Sequence, residues 1–129
     1  MKNNLTVLKK DYPSKLCVLG CGSQARYVVE ILKTLKFRGT IFVIDPIGGK
    51  TQNIADLKIR RITKITEMVR FFKKHKIKHF IAAVSDNSLK SALITALTKT
   101  GYKLQSVISP FAVISSTAKI EDGCIINPL

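Results

Sequence analysis

Cysteine and histidine are both scarce in this 129-residue sequence, which has three of the former and two of the latter. The cysteines are odd in number and match no metal-ligand spacing, which argues against a disulfide scaffold. They are Cys17, Cys21 and Cys124. His75 and His79 lie four residues apart with no acid or cysteine nearby, a pattern more typical of two solvated side chains than of a metal site. We therefore expect no bound metal.

Long apolar runs are also missing from the sequence. No stretch approaches the length of a membrane span, and residues 1–15 are polar and lysine-rich, without the apolar segment of a secretory signal. These absences predict a cytoplasmic protein with no membrane span. The length is that of one domain with a substantial core.

Acidic residues are few, since Asp and Glu number 8 against 22 Lys and Arg, and the formal net charge is +14. Such a charge suits nucleic acid, an anionic membrane or phosphorylated ligands. The lysines are scattered, however, and form one cluster between positions 73 and 78, without RNA-binding aromatic patterns or zinc-finger spacing. The distribution argues against nucleic acid and leaves an anionic small molecule or partner.

Residues 16–45 read as a strand, a glycine turn, a helix and a second strand. Residues 16–19 and 41–44 are short apolar runs, and Val28, Val29, Leu32 and Leu35 recur between them at helical spacing, with the helix ending near Gly39. Parallel strands need such a crossover helix. The predicted fold class is therefore α/β, with a small Rossmann-like parallel sheet and flanking helices.

The glycine turn predicts an anion site. Gly20 permits a tight bend, and Gly22 lets the backbone approach a phosphate at the N-terminus of the helix. Ala25 and Asp45 stand where the dinucleotide fingerprint has its third small residue and its ribose-binding acid. The alternative is a turn that only packs helix on sheet. For Cys21, a packing role is favoured over a reactive thiol because no general base is near it in sequence.

The chain after Asp45 predicts further elements of the same sheet. Residues 57–62 suggest a minor strand, 65–72 an amphipathic helix, 80–84 a buried strand, 89–97 another helix and 104–108 a last sheet strand. Asp86 and Asn87 follow the buried strand, at the sheet edge where ligands bind in α/β proteins. Helix capping by Asn87 or Ser88 is an equally good interpretation. Lys50 in the loop could reach a phosphate.

The last part of the sequence changes to a period of six. Two columns recur at that interval, one of isoleucine and one of small residues: Ile108, Ile114, Ile120 and Ile126, with Ala112, Ala118 and Cys124. Hexapeptide repeats are typical of a parallel β-helix. We expect a leader over residues 1–14, a Rossmann-like domain over 15–106, and over 107–129 the first coil of a β-helix that is cut short.

From residue 16 onward the chain resembles the N-terminal part of sugar O-acyltransferases of the sialic-acid O-acetyltransferase type, a family that includes bacillosamine and perosamine N-acetyltransferases. Four features carry the resemblance, in order: Gly20-Cys21-Gly22-Ser23-Gln24-Ala25, Asp45, Asp86-Asn87, and Ile108-Ser109-Pro110. The resemblance implies a nucleotide-sugar-binding domain followed by a left-handed β-helix that binds acetyl-CoA and forms a trimer. Without a complete β-helix, a monomer or dimer is expected.

The resemblance also implies roles for single residues. Gly20, Cys21, Gly22, Ser23 and Gln24 would hold the diphosphate or the sugar of a UDP-sugar-like ligand. The nucleoside would lie on Asp45, and Asp86 and Asn87 would line the sugar pocket.

Several residues depart from the family's pattern. Gln24 stands where the family commonly has a histidine, Ser85 replaces a glycine and Ser109 a histidine. The family's catalytic histidine lies in later coils, and no histidine follows His79, so this chain supplies no catalytic residue of its own.

The resemblance therefore implies the nucleotide-sugar-binding domain of a sugar O- or N-acetyltransferase used in polysaccharide biosynthesis, with acetyl-CoA bound only by a longer protein. Two alternatives stay open. One is the NAD-binding Rossmann domain of an oxidoreductase, and the other is a non-catalytic module that binds an anionic partner.

Overall fold

A computed structural model of the chain describes residues 12–48, 54–108 and 125–126. Ten elements follow one another: β1 (Lys15–Leu19), α1 (Ser23–Thr34), β2 (Thr40–Asp45), β3 (Ile59–Arg61), α2 (Ile65–His75), β4 (His79–Ala82), α3 (Asn87–Lys99), β5 (Lys103–Leu104), β6 (Val107–Ile108) and β7 (Ile125–Ile126). Most of the expected leader, Lys50 and most of the hexapeptide repeats lie outside the described residues.

Five parallel strands form the main sheet, in the order β3-β2-β1-β4-β5. The predicted strand-helix-strand unit is confirmed, since β1 pairs with β2 from Lys15 opposite Thr40 to Leu19 opposite Ile44. The chain then returns to pair β4 with the other side of β1. The strand order therefore reverses between β1 and β4, and in an open parallel sheet such a point leaves a crevice at the carboxyl ends of the strands.

Both faces of the sheet are covered, as a parallel sheet requires. Successive residues of β1 point to opposite faces, so Leu16 and Val18 pack with α1, whereas Cys17 and Leu19 pack on the side of α2 and α3. All four are fully buried. Cys17 is thus a packing residue of the core, and burial raises the pKa of its thiol.

Helix α1 ends earlier than the predicted stop near Gly39. Its last residue is Thr34, and Lys36 takes a left-handed conformation with φ of +57°. The amide of Phe37 then donates to the carbonyl of Leu32 at 2.9 Å, a bond that closes the helix C-terminus. A left-handed lysine cannot be recognised from the sequence, in contrast to a glycine, and the predicted helix end was therefore placed too late.

The predicted last strand over 104–108 is wrong in its extent. The main sheet ends with β5, after which the amide of Gln105 donates to Phe80 at 2.8 Å. Val107 and Ile108 belong instead to a separate two-stranded parallel sheet with Ile125 and Ile126. Val107 is fully buried and joins the core on the α1 side of the main sheet.

Among the described residues, no helix is long and apolar enough to cross a membrane.

Candidate functional site

The glycine turn lies where the strand order reverses. The amide of Gly20 donates to the carbonyl of Ile44 at 2.8 Å, and the amide of Ala83 donates to Leu19 at 2.8 Å. The turn is thus fixed between the ends of β2 and β4. Gly20 has a φ of +132°, and a Cβ there would overlap the backbone of Ala83, so only glycine fits the position.

A cavity of about 200 Å³ opens at this point of the sheet. Six of the eight residues predicted to bind the ligand line it, and four further residues complete its wall. The lining residues are Gly20, Cys21, Gly22, Ser23, Gln24, Asp45, Ile47, Ala83, Val84 and Ser85. The structure therefore brings the turn and the strand-end acid together, as the sequence predicted.

Asp45 is fully buried at the end of β2, and its two carboxylate oxygens differ in their surroundings. Oδ1 accepts from the backbone amides of Ile47 at 2.9 Å and Gly48 at 3.2 Å. Within the described part of the chain, Oδ2 accepts no hydrogen bond, and the Arg61 Nε atom is 3.9 Å away. A buried carboxylate oxygen without a donor is costly. A ligand hydroxyl in the cavity would supply a stronger donor than the neighbouring Cys21 thiol.

The N-terminus of α1 also borders the cavity. Its N-cap is Gly22, no side chain caps it, and its first turn holds no acidic residue among those that the structure describes. The amides of such a turn lack intrahelical partners and lie at the positive end of the helix dipole. This end of α1 can therefore bind an anion such as a phosphate.

Gln24 adds a second unpaired acceptor to the site. Its Oε1 atom is buried and accepts no hydrogen bond within the described ranges. Gln24 is the second residue of α1 and lines the same cavity as Asp45. The cavity thus offers amide donors for an anion and two buried acceptors for hydroxyl or amino groups.

Cys21 is half-buried in the turn, and its thiol stays protonated. Burial raises the pKa of the thiol. The negative charge of Asp45 and a weak hydrogen bond from the thiol to the Asp45 carboxylate raise it further, and the charge of Arg61 opposes these effects. A reactive cysteine needs a lowered pKa. The structure therefore favours the packing role that the sequence suggested for Cys21.

Asp86 and Asn87 do not line this cavity. Asp86 is the N-cap of α3, and its Oδ1 accepts from the amide of Leu89 at 3.1 Å. The sequence predicted a helix cap here but assigned it to Asn87 or Ser88, which is wrong by one or two residues. Asn87 lies on a larger open hollow along the exposed side of α3. The strand before them ends at Ala82, and the intervening residues 83–85 form the cavity wall.

The two histidines are half-buried rather than solvated. The ring of His75 packs on Phe42 and Phe71, with centroids 5.2 and 4.4 Å apart. Burial lowers the pKa of His79, and the charge of Lys103 lowers it further. Across the described ranges, no cluster of histidine, cysteine and acidic side chains could hold a metal ion.

Sequence reasoning missed Ile47 and Arg61 near the site. Ile47 is 64% exposed and lines the cavity, and Arg61 ends β3 directly opposite Asp45 in the strand register. A minor strand was predicted here, but its register was not. Once β3 is paired with β2, the carboxyl end of β3 must lie at the same edge as Asp45, and this rule could have found Arg61.

Solved structures share this architecture. A mutant of perosamine N-acetyltransferase from Caulobacter crescentus, in complex with CoA and GDP-perosamine, is 19% identical with a TM-score of 0.71, over 91% of this chain and 53% of that one. The acetyltransferase domain of PglB from Neisseria gonorrhoeae, in complex with acetyl coenzyme A, is 21% identical with a TM-score of 0.74, over 91% and 54%. RSP, a Rex-family repressor, is 18% identical with a TM-score of 0.56, over 96% and 56%.

No family model and no curated protein matches the chain. The chain spans about half the length of the solved acetyltransferases that it resembles. Acetyltransferases and a repressor share the architecture, so the similarity identifies a fold, and the function must be argued from the site. The fold is the parallel α/β sheet with flanking helices that these sugar acetyltransferases also contain.

Proposed function

We propose that the chain binds a nucleotide sugar at the carboxyl ends of β1 and β4, as the N-terminal domain of an acetyl-CoA-dependent sugar O- or N-acetyltransferase. The observation that carries the proposal is the pairing of a buried, unbonded Asp45 oxygen with the uncapped N-terminus of α1 in one cavity. A nucleotide has both matching groups, because its ribose hydroxyls donate hydrogen bonds and its diphosphate is an anion.

Each part of the ligand has a place in this arrangement. The diphosphate lies against Gly20, Gly22 and the amides of the first turn of α1. A ribose hydroxyl donates to Asp45, and a hydroxyl or amino group of the sugar donates to Gln24. We leave Asp86 and Asn87 out of the site because both are exposed and Asp86 already caps α3.

The small second sheet supports a β-helix after residue 106. Val107 pairs with Ile125, and Ile108 pairs with Ile126, in parallel register. Eighteen residues separate the two partners of each pair, which is three times the six-residue period of the sequence. One coil of a β-helix with three hexapeptide sides has this repeat. The register is therefore the one expected if residues 107–129 begin a left-handed β-helix.

Catalysis would require residues beyond this chain. The sequence has no histidine after His79, whereas transfer of an acetyl group to an amine or hydroxyl needs a general base. The similar solved structures hold CoA with GDP-perosamine, or acetyl coenzyme A, in chains nearly twice as long. In this proposal the described domain contributes the nucleotide-sugar site, and further coils would add acetyl-CoA binding and trimer contacts.

A second candidate is an NAD-binding domain. The glycine turn followed by Asp45 at a strand end is the dinucleotide fingerprint. This candidate leaves the hexapeptide period and the eighteen-residue register without a role, so we rank it second.

Calorimetric titration of the purified chain with UDP, GDP, a UDP-amino sugar and NAD tests the proposal. Asp45→Asn is the matched control, because an asparagine oxygen can still accept from Ile47 and Gly48 while the second carboxylate oxygen is lost. We expect binding of UDP or GDP that weakens about tenfold or more in the variant. Binding of NAD alone would support the second candidate, and binding of none would overturn both.

A further inference from the structure

Asp45 and Arg61 face each other across the last register pair of β2 and β3. The amide of Ile62 donates to the Asp45 carbonyl at 3.0 Å, which fixes the two backbones together. The Arg61 Nε atom lies 3.9 Å from the Asp45 Oδ2 atom. The carboxylate is buried with 1% of its side chain exposed, whereas 54% of the arginine side chain is exposed.

This carboxylate is an obstacle to an anionic ligand. It lines the same cavity as the N-terminus of α1, so a phosphate bound there and Asp45 would repel each other. Among the described residues that line the cavity there is no lysine or arginine. The site therefore needs a positive charge from just outside its wall.

Arg61 lies in the position to provide that charge. A Cβ at Gly48 would lie 3.7 Å from the Arg61 Cδ atom, so the aliphatic part of the arginine runs along the loop that Asp45 holds in place. Its guanidinium remains close to Oδ2, at a separation longer than a strong hydrogen bond. Oδ2 thus keeps its capacity to accept from a ligand while the negative charge is offset.

We propose that Arg61 is a specificity-determining residue that offsets the charge of Asp45, so that the site accepts a nucleoside diphosphate in preference to the uncharged nucleoside. The inference rests on the proposed function, because it concerns the same cavity and the same ligand class. Arg61 acts here through Asp45 rather than on the phosphate itself, and it is therefore a positioning residue.

Arg61→Gln and Arg60→Gln form a matched pair for the test. Both arginines are exposed, belong to β3 and carry one charge, but adjacent strand residues point to opposite faces, so only Arg61 is paired with Asp45. With the nucleoside diphosphate that binds the wild type, we expect about tenfold weaker binding for Arg61→Gln and less than about twofold for Arg60→Gln. Arg61→Lys should retain most of the affinity, and the nucleoside itself should bind all variants within about twofold.

The role through Asp45 is separated from direct phosphate contact by a double-mutant cycle with inorganic pyrophosphate, followed by NMR titration. Asp45→Asn should strengthen pyrophosphate binding, Arg61→Gln should weaken it, and the double variant, which has lost one charge of each sign, should bind pyrophosphate about as the wild type does. A double variant that binds pyrophosphate clearly more weakly than the wild type would overturn the charge offset, because it would show that Arg61 contacts the phosphate directly.

The remaining outcomes distinguish the two proposals. Equal effects of Arg61→Gln and Arg60→Gln on nucleoside diphosphate binding would overturn the inference and leave the proposed function standing. A wild-type chain that binds no nucleoside diphosphate would overturn the proposed function and the inference with it. Amide NMR spectra of each variant would confirm that the sheet remains folded.

Discussion

A side chain at Gly20 would collide with the carbonyl group of Ala83, because the turn after β1 passes directly over the end of β4. Gly20 and Ala83 both line the cavity, and their contact lies between the ends of β1 and β4, where the strand order reverses. Gly22, two residues later, has open space where its Cβ would be. The two glycines of one turn therefore serve different purposes, and this difference can be tested.

Gly20→Ala should destabilise the fold, whereas Gly22→Ala should not. At Gly20 the substitution adds both a steric clash and an unfavourable φ of +132°, so we expect a loss of about 3 kcal/mol or more in the free energy of unfolding. Gly22 has a φ of −91°, which any residue adopts. Urea denaturation of the two variants measures the difference, and equal losses would contradict this account of the turn.

In Gly22→Ala the added methyl group should instead reduce ligand binding. Gly22 lines the cavity at the start of α1, where a phosphate must approach the backbone closely. We expect weaker binding of nucleoside diphosphates with nearly unchanged stability. Unaltered affinity would show that the ligand does not approach the turn at this residue.

The sequence predicts the parts of this site that depend on local signals. The strand-turn-helix-strand pattern of residues 16–45 placed Gly20 and Asp45 correctly, because periodicity and glycine chemistry act over short distances. Arg61 was not foreseen, since its position depends on the register between β2 and β3. For Asp86 the sequence left a ligand site and a helix cap open, because a strand-end acid and a cap have the same sequence signature, and the contact with Leu89 shows that Asp86 caps α3.

Asp86→Ala should lower stability without changing ligand affinity. The variant removes the side chain that accepts from the Leu89 amide at the start of α3, and loss of such a cap costs about 1 kcal/mol. Asp86→Asn is the control, since asparagine is an equally good cap. Denaturation curves and nucleotide titration of both variants check the prediction, and a large loss of affinity in Asp86→Ala would place this residue back in the ligand site.

Cys21 should react slowly with iodoacetamide at neutral pH and faster as the pH rises. The thiolate is the reactive form, and burial together with the charge of Asp45 raises the pKa of this thiol, so the thiolate appears only at alkaline pH. Asp45→Asn removes a negative charge and should lower the pKa, which increases the rate at a fixed pH. The rates are measured by mass spectrometry in a Cys124→Ser background.

Cys17 provides the internal control for that experiment. It is fully buried, so its alkylation reports unfolding rather than local reactivity. A faster modification of Cys21 in Asp45→Asn is evidence for a lowered thiol pKa only if Cys17 remains unmodified, because modification of Cys17 would show that the variant unfolds. A Cys21 rate that is the same in the wild type and in Asp45→Asn would show that Asp45 does not influence the thiol.

Val107 should be essential to the core although it lies beyond the expected domain boundary at residue 106. It is fully buried on the α1 side of the sheet, and Ile125 packs against the same cluster. Val107→Ala removes buried methyl groups, and we expect a loss of about 2 kcal/mol in the free energy of unfolding. Ile47→Ala, at a side chain that is 64% exposed, should change stability by less than about 0.5 kcal/mol and serves as the control. Equal values for the two variants in urea denaturation would mean that β6 does not pack on the main sheet in solution, and the domain would then end before it.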